Sequence, residues 1–451
     1  SSRIVVRDET GRTVPCQREK EEANLACDWM IRLALPVTLE PFALRRYNAS
    51  FEPLQPPRRP TVRPVPRRGL LLESSAYRVR INGRTGLVDL FQPRRGHTSL
   101  VRKGAFRPVV FADISHSWEC GPPPPTRRKS SGDMWSFSHQ WRSPPEAFRL
   151  AGPTRARSVL HSPPGTPRVD ALHVVEDGPV RTVVEAVFVW KQSHIVRRYI
   201  FGTSPACFEI QDRIMWNAAD SLLKLEVPLN MHARGTLSET PYSAVFRAAR
   251  NDRHEEQSNQ QWVAALGEGG TYLAAVNDGS YAHSLYANTL YLNVLRSPAF
   301  SPARLSPACE SHANRFVPRQ EQGEHTVRFG FACGSRFSEA KVHRYAAAFN
   351  MPPQVFVHYA GGSGTARRSP RSSVRVTPDN VEIVAVKRAE SGRGLIVRLR
   401  EVAGRRTRFS CRLPRGASFR GSIGPYGLET VLVGRQRAGR AAARRLNLIE
   451  Q

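Results

Sequence analysis

Apolar residues alternate with polar ones in short runs along most of this chain. Tyr77-Arg-Val-Arg-Ile81 is the clearest case: Tyr77, Val79 and Ile81 fall on one side and the arginines on the other. A period of two puts alternate side chains on opposite faces, so the run predicts a strand with one solvated face. Asn82-Gly83 follows, a pair that tolerates positive φ, and predicts the hairpin turn; Leu87 and Val88 begin the returning strand. Val183–Trp190 is nearly continuous in apolar residues and contains Glu185, which predicts a buried strand. Helical spacing stands out only at 338–350. There Val342, Tyr345, Ala346 and Phe349 follow i, i+3, i+4, i+7, with Ser338 placed to cap, Glu339 in the first turn, and Asn350 before Pro352-Pro353. The 35 prolines work against long helices. The fold predicted is mainly β, in consecutive antiparallel β-sandwich domains: a large central sandwich and smaller flanking β-domains.

Composition shifts mark the boundaries. Gln55–Pro66 is a stiff Pro-rich connector, and Tyr359–Ser373 is a Gly/Ser/Arg linker. They divide the 451 residues into a small N-terminal β-domain with its connector (1–66), a central β-sandwich (67–358), the linker (359–373), a C-terminal β-domain (374–434) and a basic tail (435–451), expected as a short helix or a disordered end. The first residues, Ser1-Ser-Arg-Ile-Val-Val, carry no starting Met and no secretory leader pattern, so the chain is expected to be part of a longer protein and cytoplasmic. No apolar run approaches the ~20 residues of a membrane span.

The net charge of +29 raises the question of nucleic acid. Only 7 of the 67 basic residues are lysines, and the arginines fall in doublets scattered from Arg58-Arg59 to Arg444-Arg445. A phosphate-tracking surface concentrates its charge and interleaves aromatics. Scatter predicts arginine-rich surface composition and no specific nucleic-acid partner. The 7 cysteines are odd in number, widely spaced and lack a C-x-x-C pair, which predicts free thiols rather than a zinc ribbon or redox dithiol.

A series of fragments, in unbroken order, resembles glycoside hydrolase family 38, the α-mannosidases, over the β-sandwich half. Asp8-Glu-Thr-Gly-Arg-Thr-Val-Pro-Cys-Gln17, Leu71–Val79, Glu176-Asp-Gly-Pro-Val-Arg181, Asp212–Trp216, Leu222-Leu-Lys-Leu-Glu-Val-Pro228, Asn277-Asp-Gly-Ser-Tyr281, Leu292-Asn-Val-Leu-Arg-Ser-Pro298, Arg319–Phe331 and Val386–Glu401 are similar to that family's segments. Glu321 stands where the family has aspartate in its D-x-G-E-H element, and Tyr242–Arg253 departs from it more widely. The resemblance implies the C-terminal β-sandwich portion of a retaining α-mannosidase acting on α-mannoside glycans in mannose metabolism. It implies a zinc ion and an aspartate nucleophile on an N-terminal catalytic barrel that the chain does not contain. The sandwich would pack against that barrel, complete a wall of the active site and help hold a homo-oligomer.

Retaining glycoside hydrolysis needs two carboxylates about 5 Å apart, and zinc needs clustered His, Cys, Asp or Glu ligands. No H-x-D triplet occurs, so no catalytic or zinc residue is assigned here, and this chain is expected to bind no cofactor. By resemblance, Arg296 of Leu292–Pro298 is the candidate sugar-binding residue, since a guanidinium fork suits adjacent hydroxyls; an internal ion pair is the competing role. Tyr281 is its companion. His254-Glu255-Glu256 lacks the second histidine of H-E-x-x-H and is expected to be a solvated loop. Glu324-His325 is expected to be structural. An alternative assignment is a non-catalytic carbohydrate-binding protein with aromatic platforms among Trp118, Trp135, Trp141 and Trp262; a nucleic-acid-binding protein is the further alternative.

Overall fold

The computed structural model describes residues 2–20, 31–53, 62–113, 145–152, 154–155, 168–169, 171–202, 207–249, 254–299, 318–358, 374–392, 394–413, 418–434 and 442–450. Strands dominate them, and every strand pair is antiparallel. A long sheet of 11 strands runs Ser243–Ala248, Ala233–Thr240, Trp262–Gly267, Tyr272–Asn277, Gly323–Gly334, Cys207–Trp216, Ser193–Gly202, Arg181–Trp190, Leu172–Asp177, Arg63–Pro64, with Arg149–Leu150 also on Arg181–Trp190. A short sheet of 6 strands runs Glu146–Ala147, Arg107–Ala112, Ser221–Pro228, Thr289–Arg296, Ala282–Tyr286, Gln257–Ser258. Inward side chains of both sheets join one core with the hairpin 77–93. Phe91, Phe106, Phe208 and Phe331 fill its centre edge to face, with centroids 4.5 Å apart for Phe106–Phe331 and 5.0 Å for Phe91–Phe208.

The alternation seen in sequence is the alternation of burial. Along Ser193–Gly202 every second residue is buried, and Tyr77, Val79 and Ile81 point inward as the pattern required. The turn after Ile81 works differently from expectation. Asn82 uses its side-chain oxygen to accept the amides of Arg84 and Thr85, at 2.8 and 3.1 Å, and positive φ falls on Gly86. Gly83 is needed for close approach instead, because a Cβ there would stand 1.9 Å from the Pro66 carbonyl oxygen.

The predicted helix is Glu339–Asn350, and its apolar face packs on Trp262, Ala264, Tyr272 and Val276, on the outer side of the long sheet. Ser338 occupies the N-cap position, but its hydroxyl makes no capping bond. His343 joins the buried residues of the helix. It bridges Glu239 of the long sheet (3.4 Å) and Glu382 of the C-terminal unit (3.0 Å), with Arg400 within 3.8 Å of both carboxylates.

The C-terminal unit is a second sandwich. Arg375–Thr377, Thr407–Arg412 and Ser418–Ile423 form one sheet; Val381–Arg388, Leu395–Glu401, Leu428–Gly434 and Ala442–Leu446 form the other. Ala442–Leu446, expected as helix or disordered tail, is an edge strand. Glu401 is fully buried and accepts the amides of Ala403, Arg405 and Tyr426 and the Asn380 side chain, which ties three loops to one carboxylate. At the other end, Ser2–Asp8, Thr13–Val14 and Tyr47–Pro53 make a small sheet. Its link to the central sandwich is polar. Gln17 accepts the amides of Val180 and Arg181 and donates to Glu176, whose carboxylate also takes a fork from Arg181 at 2.8 and 2.9 Å. Gly178 makes room for this amide, since a Cβ would stand 2.3 Å from Gln17 Oε1. Arg63–Pro64, the end of the Pro-rich connector, is the outermost strand on that side of the long sheet.

The arginine excess is only partly surface. Arg197 is fully buried and forks onto Asp212 with two 2.7 Å bonds, while another of its nitrogens donates to the Phe106 carbonyl. Burial opposes its charge, but Asp212 outweighs this and raises the guanidinium pKa.

Candidate functional site

Arg296 is the last residue of Thr289–Arg296, where the short sheet ends. The next strands over end at the same level: Ala112 pairs with Ser221, and Leu222 with Arg296. Backbone bonds continue the ladder past these ends, from Asp113 to the Asp220 carbonyl and from Asp220 to the Ser297 carbonyl, each 2.8 Å. This places Asp113 and Asp220 beside the arginines that follow. Arg296 donates to the wholly buried Asp113 carboxylate through Nε, and Arg319 forks onto Asp220 at 2.9 and 3.0 Å. The Arg296 side chain remains 20 % exposed. A guanidinium oriented by a buried carboxylate and still reachable from solvent suits a planar pair of ligand oxygens. Tyr281 immediately precedes Ala282–Tyr286 at the same sheet end and is 62 % exposed; no hydrogen bond joins it to Arg296. The turn that presents Tyr281 is built by Asn277, whose side chain accepts the Gly279 and Ser280 amides and donates to Gln260.

The second polar centre corrects the expectation of a solvated loop at 254–256. His254 is 4 % exposed, the Glu256 side chain 9 %, and both pack against Lys224 in the middle of the short sheet. Lys224 is fully buried, and its ammonium binds Glu256 and approaches Ser284 Oγ (3.4 Å) and His254 Nε2 (3.5 Å). Phe111 and Tyr291 flank the ammonium at 5.2 and 5.8 Å, and Tyr286 stacks on the His254 ring. Burial, then the nearby Lys224 charge, push His254 down to about 2, so the ring is neutral. His254 Nε2 also lies 2.6 Å from Ser284 Oγ. His283 lies between Asn259 and Thr236 and is likewise held neutral, pushed down to about 3 by burial, Arg247 and Lys224. A cleft of about 560 Å³ opens beside this centre, lined by Arg247, Ala248 and Glu255–Ser258.

Sequence spacing could not reveal the second centre, because its members meet across strands. One signal was present: Lys224 stands inside the apolar run Leu222–Val227, where an unpaired ammonium is not tolerated.

The other residues singled out in the sequence lie as follows. Glu324 pairs with Arg213 at 2.6 Å, and His325 Nε2 lies 2.8 Å from the Glu321 carbonyl. Trp262 is 1 % exposed and cannot serve as a sugar platform; Trp118, Trp135 and Trp141 lie outside the described residues. Cys16, Cys207, Cys333 and Cys411 are free. Among the described residues, no three His, Cys, Asp or Glu side chains come together in a way that could hold a metal ion, and no helix is long and apolar enough to cross a membrane.

The family model for the glycosyl hydrolases family 38 C-terminal domain matches residues 72–304, just over half of the chain. No curated protein matches by sequence. Among solved structures, an α-mannosidase from Enterococcus faecalis V583 is similar over 95% of this chain with a TM-score of 0.67 at 13% identity. A glycosyl hydrolase family 38 protein from Enterococcus faecalis gives the same TM-score and identity, also over 95% of this chain. The chain spans about half the length of these two, 51% and 52%. The shared feature is the fold: successive antiparallel sandwiches.

Proposed function

The chain belongs to glycosyl hydrolase family 38, and on that premise we propose that it is the β-sandwich portion of a retaining α-mannosidase, with Arg296 reaching the sugar. The observation that carries this reading is the Arg296–Asp113 pair: a buried acid orients a guanidinium that stays accessible at a sheet end. The reading assigns the aspartate nucleophile and the zinc to a catalytic barrel elsewhere in the intact enzyme. The described residues bring together no zinc-binding set, so no step runs through the metal here. What this chain contributes is support and orientation. Exposed apolar side chains that fit a docking role include Phe42, Leu44 and Phe51 of the N-terminal unit and Val355, Phe356 and Val357 after the helix. Tyr281 is a secondary contact, α-mannoside glycans are the substrates, and self-association is a further role of the sandwich surfaces.

The test is Arg296→Ala in the barrel-containing enzyme. Loss of one charge-assisted hydrogen bond costs about 1.5–3 kcal/mol, which lowers kcat/KM by about 10- to 150-fold. Asp113→Asn should lower it in the same direction by freeing the guanidinium, with the circular dichroism spectrum retained. Unchanged kcat/KM in Arg296→Ala would assign the residue to the fold alone. The 451-residue chain by itself is expected to cleave no aryl α-mannoside; turnover above the blank would place catalytic groups within it.

A further inference from the structure

We propose that Arg319 is a positioning residue for Arg296, acting through Asp220 to set the direction in which the Arg296 guanidinium meets a sugar. The inference rests on the reading of Arg296 as the sugar contact and deepens it.

Asp220 is the hub. It lies in the crossover from Cys207–Trp216 of the long sheet to Ser221–Pro228 of the short sheet. Its φ is 46°, a left-handed conformation that a residue with a Cβ keeps only where its surroundings over-determine it. Bonds hold it on three sides. Its carbonyl accepts the Asp113 amide and its own amide donates to the Ser297 carbonyl, each at 2.8 Å. Its carboxylate takes the Arg319 fork at 2.9 and 3.0 Å. The two backbone bonds reach both halves of the candidate site: the Asp113 carboxylate holds Arg296 Nε, and the wholly buried Ser297 follows Arg296 in the chain. A rotation of Asp220 therefore moves the acid relative to its arginine.

Arg319 is itself tied to the segment that carries Arg296. Ala299 and Arg319 form an antiparallel bridge, and the Gln320 amide donates to the Pro298 carbonyl at 2.9 Å. The contacts close into a ring: Arg296 to Asp113, Asp113 to Asp220, Asp220 to Arg319, and Arg319 along the backbone to Pro298 and back to Arg296. The Arg319 and Asp220 side chains are 26 % and 34 % exposed, and ion pairs so placed add little to stability. What this pair fixes is direction, and a binding group turned slightly out of place loses much of its effect.

The test is a double-mutant cycle in the barrel-containing enzyme, assayed on an aryl α-mannoside: Arg319→Ala, Arg296→Ala and the two together. Arg319→Ala should lower kcat/KM about three- to tenfold, with Tm lowered by no more than about 4 °C. On the Arg296→Ala background the same change should alter kcat/KM less than about twofold, because no guanidinium is left to orient. Hydrogen exchange gives a readout independent of turnover: the Asp113 and Asp220 amides should exchange faster in Arg319→Ala than in the parent. Arg319→Lys keeps the charge without the fork and should fall between parent and alanine variant; it decides the matter if the alanine variant does not fold. Unchanged kcat/KM in Arg319→Ala, an equal loss on both backgrounds, or unaltered exchange of both amides overturns the inference, and the mannosidase reading survives as long as Arg296→Ala lowers kcat/KM. Unchanged kcat/KM in Arg296→Ala overturns that reading and the inference with it.

Discussion

His343 sets a pH limit on the joint between the two sandwiches. The helix carries it into a polar layer where Glu239 approaches from the long sheet and Glu382 and Arg400 from the C-terminal unit, with Glu339 on its own helix. Burial would lower its pKa; the hydrogen bonds and charges of Glu239 and Glu382 outweigh burial and lift it to about 9. The folded value thus lies above the ordinary 6.5, so the protonated ring stabilises the folded state. That contribution is complete below about pH 6.5 and is lost as pH rises to about 9. At about 1.4 kcal/mol per pH unit, the rise corresponds to about 3 kcal/mol. The side chain is only 7 % exposed, so solvent screens little of it. The perturbation is His343→Gln, which keeps a donor but cannot be charged. The assay is urea unfolding followed by circular dichroism from pH 6 to pH 9.5, read as the difference between parent and variant, because lysine, cysteine and tyrosine titrations affect both. The parent should exceed the variant by roughly 3 kcal/mol at pH 6, and the gap should close towards pH 9. Curves that stay parallel across that window would show that His343 is neutral in the folded protein and that the reasoning fails.

Removing the core acid should be costlier than removing the pair. Asp212→Ala leaves Arg197 buried and unpaired and should lower stability by about 3–5 kcal/mol, while Arg197→Met with Asp212→Leu should lose much less, both measured by denaturant midpoints. Nucleic acid should bind without sequence preference, with affinity collapsing between about 50 and 200 mM salt in fluorescence anisotropy; base-selective binding that survives the higher salt would contradict the reading of the arginines.

The β-architecture was legible because burial here has a period of two, and the chain obeys it over long runs such as Ser193–Gly202. The helix was legible because its spacing stands alone. What escaped was chemistry that crosses strands. Arg197 looked like half of a surface doublet, yet Ile195, Arg197, Tyr199 and Phe201 share one face of their strand, and that face is the core. Its partner Asp212 lies on the next strand, in register directly opposite. His254 and Glu256 looked solvated because the triplet lacks the second histidine of H-E-x-x-H; the contact that buries them comes from Lys224. The role of Asn82 was misread because an Asx turn and a positive-φ hairpin call for the same residue type.

The segments that resemble family 38 now divide by what their residues do. Asp8 accepts the Thr10 and Arg12 amides and shapes the first turn. Gln17, Glu176, Gly178 and Arg181, drawn from two separate segments, form a single joint. Asp212 neutralises Arg197, Asn277 folds a turn, and Glu401 gathers three loops. Each is satisfied internally and explains a constraint on sequence without any ligand. These residues are evidence of fold, and counting them as evidence of mannoside chemistry would count the same fact twice. Arg296 differs in kind. Its anchor is Asp113, 183 residues away in sequence, and its side chain is left partly open at a sheet end where an internal strut needs no exposure. The functional claim therefore rests on one guanidinium, and the Arg296→Ala measurement bears on activity in a way that no substitution among the joint residues can.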